Sequence, residues 1–326
     1  MFNTKRRSFV AGIAMLLSSG VAFSGSHSAC GDVSITEMDW ASAAVITAVS
    51  KFLMENGLGC KVTVVPSSTV PAAASVAETG KPDIVTEMWV NSSSVYQELE
   101  AAGKVQTIAP VYAEGGAENW WIPEYLATKH PELKTLKGIM ENPSLVGGRF
   151  NNCPVGWGCR IANDNLIKAT GLRNAMEIFD HGSGETLATS IAAAYADKAP
   201  WFGYYWGPTA ILGKYPMVAV DMGAPLNADI HACNQKPDCA NPRVSPYPAA
   251  PVVTGATADF LKREPKAAAL MSKVKFTTQE LSTVLAWKQD NNASADEAAV
   301  YFLTNYKNVW SNWLDEGSRA KLSKIL

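Results

Sequence analysis

Apolar positions along the chain switch repeatedly between two periods. Val33 to Met38, Lys61 to Val65 and Asp83 to Trp89 are short runs rich in β-branched and apolar residues, which predicts strands. Between the first two, Val45, Val49, Phe52 and Leu53 fall at helical spacing within Ser42 to Gly57, and Gly57 suits a helix stop. A helix over residues 69 to 79 leads to the third strand, and Ser94 with Gln97 three residues later reads as a capping box closed at Gly103. Strands are predicted near Gln106 to Tyr112, Val146 to Phe150, Trp201 to Tyr205 and Met217 to Asp221. Helices are predicted near Arg160 to Thr170 and Glu185 to Asp197. After a turn-rich stretch from Ala224 to Pro251 the pattern is helical, with capping boxes at Thr277/Glu280 and Ser294/Glu297. Strand and helix in alternation imply an α/β protein with parallel sheets.

The N-terminus follows a different grammar. Lys5, Arg6 and Arg7 precede an uncharged apolar run from Phe9 to Phe23 that ends in small residues through Ala29. Residues 1 to 29 therefore read as a cleaved export signal, and Arg6-Arg7 also suits the twin-arginine route. No later segment is apolar enough for a membrane span. The remaining chain has the length for two lobes. With 47% apolar and 18% charged residues it is not a disordered chain, and loss of Lys5, Arg6 and Arg7 takes the formal charge from -2 to -5, which argues against a nucleic-acid partner.

Six cysteines follow the signal, and an even count in an exported chain reads as disulfides. Cys153 with Cys159, and Cys233 with Cys239, are six residues apart across Pro- and Gly-containing turns, so local pairing is the simplest connectivity. Cys30 and Cys60 then pair, each lying just ahead of a strand in one strand-helix-strand unit. A four-thiolate zinc site is the competing reading; the spacing is wider than such sites use, and no metal is expected.

Catalytic constellations are sparse. His27, His130, His181 and His231 form no metal-ligand pair at helical spacing, and there is no Gly-x-Ser-x-Gly elbow or dinucleotide fingerprint, so no cofactor is expected. Gly182-Ser183-Gly184 ahead of a helix suits either an anion cradle or a simple helix cap. The anomaly is ten tryptophans. Trp40 follows the first strand, Trp89 ends the third, Trp157 sits within the Cys153–Cys159 loop, and Trp206 ends the Trp-Phe-Gly-Tyr-Tyr-Trp run. Open α/β sheets bind ligands beyond the carboxyl ends of their strands. Tryptophan faces are the best aromatic partners for a quaternary ammonium, so this placement predicts a methylated cationic ligand. Trp201, Trp287, Trp310 and Trp313 read as core. A competing reading is an exported α/β enzyme, or another small-molecule binder, using these rings as a stacking platform.

The segments Asp39-Trp40, Glu87-Met-Trp89, Cys153-Pro-Val-Gly-Trp157-Gly-Cys159 and Tyr204-Tyr205-Trp206-Gly-Pro208 together resemble the glycine betaine and choline substrate-binding proteins of osmoprotectant ABC importers. The resemblance runs from about residue 30 to the C-terminus. It implies a two-lobed type II periplasmic-binding-protein fold, with lobe 1 formed by residues 30–118 plus 247–326, lobe 2 by 119–246, and the ligand between them. It further implies a periplasmic, monomeric, non-enzymatic protein that hands a methylated ammonium compound to a membrane permease. Glycine betaine, trimethylamine N-oxide and choline are the named candidates. Trp40, Trp89, Trp157 and Trp206 match tryptophans of the family's aromatic boxes, and Trp120-Trp121 stand where members place an aromatic. The amides of Gly158 and Cys159 match those that hold the betaine carboxylate, whereas Ser93 occupies the position of a histidine used by that branch. Glu87 and Asp39 beside the cage favour a hydroxyl or a carboxylate-free cation, unless they are simply solvated or capping carboxylates.

Overall fold

The computed structural model describes residue 1 and residues 30–326; the remainder of the expected export signal lies outside the described residues. Two five-stranded sheets carry the fold. In the first, β1 (Asp32–Met38) pairs in parallel with β2 (Lys61–Ser67), from Asp32 opposite Lys61 to Met38 opposite Ser67, and with β3 (Ile84–Trp89) on its other side. The sheet is completed by β4 (Val105–Pro110) and, running antiparallel between β3 and β4, β10 (Val252–Thr257). The second sheet has the order β7-β6-β8-β5-β9. Its strands are β5 (Ala117–Pro123), β6 (Arg149–Asn152), β7 (Glu177–Asp180), β8 (Gly203–Gly207) and β9 (Met217–Ala219). β6 lies parallel to β7 and β8, while β5 runs antiparallel to β8 and β9.

The chain crosses between the sheets twice, after β4 and after β9. The crossings touch: Gly116 and Ala250 exchange backbone hydrogen bonds of 2.8 and 3.0 Å, making a two-stranded ribbon at the junction of the lobes. β3 is buried at every position because helices cover both faces, so it reads as a continuous apolar run and not an alternating one. β2 is an edge, where Pro66 costs no ladder bond. Disulfides join Cys30 to Cys60 where β1 and β2 begin, Cys153 to Cys159, and Cys233 to Cys239.

The sheets are mixed, not parallel as the alternation predicts, because β5 and β10 return through the crossings against their neighbours. The region beyond Pro251 is not purely helical: Val252–Thr257 is the strand shared by β3 and β4. β5 and β7 have no counterpart in the sequence reading, and the turn-rich stretch contains a helix, Ala228–Asn234. The first helix, Ala41–Leu53, runs on into a wider turn, Met54–Leu58, and ends at Gly59 with φ +75°, not at Gly57. Ser93, not Ser94, caps the helix Ser94–Ala101, accepting from the Tyr96 amide. Trp201, Trp310 and Trp313 are core, whereas Trp287 is only partly buried and stacks on Tyr301 at 4.3 Å. The boxes at Thr277 and Ser294 form with Glu280 and Glu297.

One buried charge ties the start of the first sheet to its far end. Asp83, 1% exposed, bonds Lys81 at 2.5 Å, Arg263 at 2.8 Å and both the amide and hydroxyl of Ser34. Burial pushes its carboxyl up, but the Lys81, Ser34 and Arg263 contacts outweigh it and hold it below the usual range. Its contribution is therefore present above pH ~3.8 and is lost as the pH falls through the lower native value. Asp83→Asn should destabilise the protein by about 2 kcal/mol at pH 7, reduced from a fully buried pair because both cations are partly exposed. Thermal melts should show that gap closing below pH 4; a gap independent of pH would remove the ionic account.

Candidate functional site

The carboxyl ends of strands from both sheets converge on one small cavity. From the first sheet, the end of β1 supplies Trp40 and the end of β3 supplies Trp89. From the second, the disulfide loop after β6 supplies Trp157 and the end of β8 supplies Tyr204 and Trp206. Each of the four tryptophans is at most 6% exposed. Trp157 stands edge-on to Trp40 at 4.9 Å and to Trp206 at 4.8 Å, so the three rings present walls at steep angles to one another. Tyr204 and Trp206 lie two residues apart on one strand and so share a face. Gly184 closes in behind: a Cβ there would lie 3.0 Å from Trp157 and 3.2 Å from Trp206.

The polar part of the wall is sparse. Thr69, Ser92, Gly158 and Cys159 contribute, and the helix Gly158–Thr170 points its N-terminus, whose first amides lack intrahelical acceptors, at the cavity. The one carboxyl group is Glu118 on β5, 3% exposed, which accepts from Tyr204 Oη at 2.7 Å and from Ser92 Oγ at 3.0 Å. Burial pushes its pKa up to about 7 despite those two hydrogen bonds. Tyr204 is itself pushed well up, by burial and by the neighbouring carboxyl.

The lobes are closed over this space. Asp39 at the end of β1 accepts from Trp157 Nε1 at 2.7 Å, Val70 N donates to Gly156 O at 3.1 Å, and Ser92 reaches Glu118. Gly158 allows the closest approach, since a Cβ there would fall 1.7 Å from the Ser92 carbonyl oxygen.

Of the residues singled out in the sequence, Trp40, Trp89, Trp157, Trp206, Gly158 and Cys159 are brought together around the cavity. Trp120 and Trp121 are not. Trp120 is core, packed on Phe150 and Phe202 with Nε1 donating to Asn163, and Trp121 donates to the Tyr205 carbonyl. Trp120 shares the face of Glu118 but lies two residues further along β5, against the lobe core, while strand alternation puts Trp121 on the other face. Ser93 caps its helix, and its neighbour Ser92 faces the cavity instead. Asp39 and Glu87 are not helix caps: Glu87 is completely buried and accepts from the Trp40 indole, while Asp39 holds Trp157. Ser183 forms a capping box with Thr186, the plain cap among the two readings of that glycine-rich turn. Sequence reasoning missed Glu118, Tyr204, Thr69 and Ser92. Among the described residues no group of three His, Cys, Asp or Glu could hold a metal ion, and no helix is long and apolar enough to cross a membrane.

Two sheets joined by paired crossings and closed over a cavity at their strand ends define a two-lobed solute-binding fold. Residues 31–305 match the family described as the substrate binding domain of ABC-type glycine betaine transport systems, and the chain belongs to that family. Among solved structures it is similar to a glycine betaine/L-proline-binding protein of an ABC transporter from Borrelia burgdorferi, with 16% identity, TM-score 0.73, and coverage of 89% of this chain and 99% of that one. An ABC-transporter choline-binding protein in complex with choline gives 16% identity and TM-score 0.73 over 91% of this chain and 99% of that one. Lactococcal OpuAC, in its closed-liganded conformation with glycine betaine, gives 15% identity and TM-score 0.69 over 87% and 100%.

Glu118 makes the site measurable without a ligand. Because the fold raises this acid, the stability it lends is complete below pH ~4.5 and is lost as the pH rises to about 7. At 1.36 kcal/mol per pKa unit, that loss is about 3 kcal/mol. Glu118→Gln, neutral throughout, should lose about 3 kcal/mol less than the parent between pH 4.5 and 8, read from denaturant melts at each pH. Identical pH dependence in the two proteins would show that the acid is not buried as described.

Proposed function

We propose that this protein captures a methylated ammonium compound outside the cytoplasm and delivers it to the membrane permease of an ABC importer. The observation that carries the reading is the enclosure of one small cavity by Trp40, Trp89, Trp157, Trp206 and Tyr204, with a single carboxyl group, Glu118, in its wall. Aromatic faces attract a cation that has no N–H to offer an acceptor, at about 0.5 to 2 kcal/mol per well-placed ring. Four or five such contacts, with methyl burial and one polar contact, supply the roughly 8 kcal/mol that micromolar binding requires.

Glu118 narrows the ligand. Ionised, it repels a second carboxylate in the same dry space and favours a cation without one. We therefore infer a carboxylate-free compound, choline or trimethylamine N-oxide, in preference to glycine betaine. Charge linkage separates these two. The choline hydroxyl donates to a carboxylate while its cation neutralises it, so choline affinity should rise as the pH passes through about 7. The oxide oxygen accepts only from the protonated acid, so its affinity should fall over the same range.

Tryptophan fluorescence titrations with choline, trimethylamine N-oxide and glycine betaine at pH 6 and pH 8 test the reading. A saturable response to at least one methylated ammonium compound is expected, with betaine the weakest; no response to any of the three would sink it. Trp157→Ala and Trp206→Ala should each weaken the tightest of them at least tenfold, about 1.4 kcal/mol, by calorimetry. Trp310→Ala, in the C-terminal core, should leave affinity near that of the parent. Equal affinities in all three variants would remove the cage.

A further inference from the structure

Behind the cage lies an acid that lines no part of the cavity. Glu87 is completely buried; its Oε1 accepts from Trp40 Nε1 at 2.5 Å and from Ser42 Oγ at 2.8 Å. Its Oε2 and the Tyr112 hydroxyl are buried facing each other, with no other partner among the described residues. The backbone is bent to put it there. Glu87 holds φ at +53° within a strand, and the facing strand β10 shifts register between Val253 and Gly255. A left-handed non-glycine residue within a bulge, where Thr86 and Glu87 together face Thr254, is a local strain that re-aims a side chain, and such strain persists where the surroundings hold it in place. The acid gains little for the fold, since burial opposes its charged form and pushes its pKa up to about 7 against the Tyr112, Trp40, Ser42 and Trp89 groups that face it.

Resting on the cage reading above, we propose that Glu87 is a positioning residue: it fixes the Trp40 ring through its indole N–H and supplies the buried negative charge by which the cage distinguishes a quaternary ammonium from a neutral molecule of the same shape. An N–H held by a carboxylate is polarised toward the acceptor, which makes the ring face more negative and strengthens its attraction for a cation. Glu87 is wholly buried and Trp40 only 4% exposed, so the charge behind the ring is poorly screened. Glu87 acts through Trp40 and never meets the ligand. Asp39 holds Trp157 in the same manner from the opposite lobe, but it is exposed and its charge is screened.

The test compares choline with its neutral isostere 3,3-dimethylbutan-1-ol, titrated calorimetrically into the parent and Glu87→Gln at pH 8. Glutamine keeps the length of the side chain and an oxygen for the Trp40 N–H, and removes the charge. Choline affinity should fall at least about fivefold while affinity for the alcohol changes less than about twofold. Equal weakening of both would assign Glu87 a structural role only, and an unchanged preference would show its charge to be silent; either result overturns the inference. A parent that binds none of the methylated compounds sinks the cage reading itself. Should Glu87→Gln fail to fold, Glu87→Asp, which keeps the charge, should keep the preference for choline over the alcohol within about threefold of the parent, and loss of that preference would likewise overturn the inference.

Discussion

A cation sealed from water must find its compensating negative charge in the wall that encloses it, and the wall must keep that charge without a cation when the cavity is empty. For the methylated cation proposed above, this constraint organises the site. Glu118 meets it inside the cavity, held by Tyr204 and Ser92 hydroxyls that soften its ionisation without neutralising it. The aromatic rings meet it with partial charge, which needs no counter-ion and no hydration. Neither device would serve on an open surface, where solvent would screen the acid and wet the rings. Closure of the lobes is therefore part of the chemistry and not only a means of retention.

The two-sheet architecture supplies what closure needs. Each sheet ends its strands at the same crevice, so the wall residues sit on strand ends or, for Trp157, on a loop closed by a disulfide. Polar contacts bridge the lobes at the site, Asp39 to Trp157, Ser92 to Glu118, and Val70 to Gly156, beside the ring contact of Trp40 with Trp157. Polar contacts of this kind can exchange for water when the lobes part, whereas an apolar seam of equal area would hold them shut.

The tryptophans at the site were readable in the sequence because two simple rules coincide, ligands at strand ends and cations on indole faces. Glu118 was not readable. It lies on β5, whose Asn-Trp-Trp-Ile-Pro run shows no clean alternation, so the strand went unseen and its acid had no place to be assigned. The signal that could have found Tyr204 was the period of two that puts it on the face of Trp206. The same period, applied to β5, puts Glu118 and Trp120 on one face and Trp121 on the other, so only position along the strand separates the cavity-lining acid from Trp120, which serves the lobe's own packing. β10 was missed for a different reason: its strand neighbours come from far earlier in the chain, and a return through a crossing leaves no local mark beyond a short β-branched run.

Gly116 joins two functions in a single missing side chain. It pairs with Ala250 in the crossing ribbon, and a Cβ on it would lie 2.5 Å from the Trp89 indole. Any larger residue there must displace a wall of the cavity, and any smaller residue at position 89 lifts the restriction on the ribbon. The size of the cavity and the packing of the crossing ribbon therefore cannot be altered independently of one another.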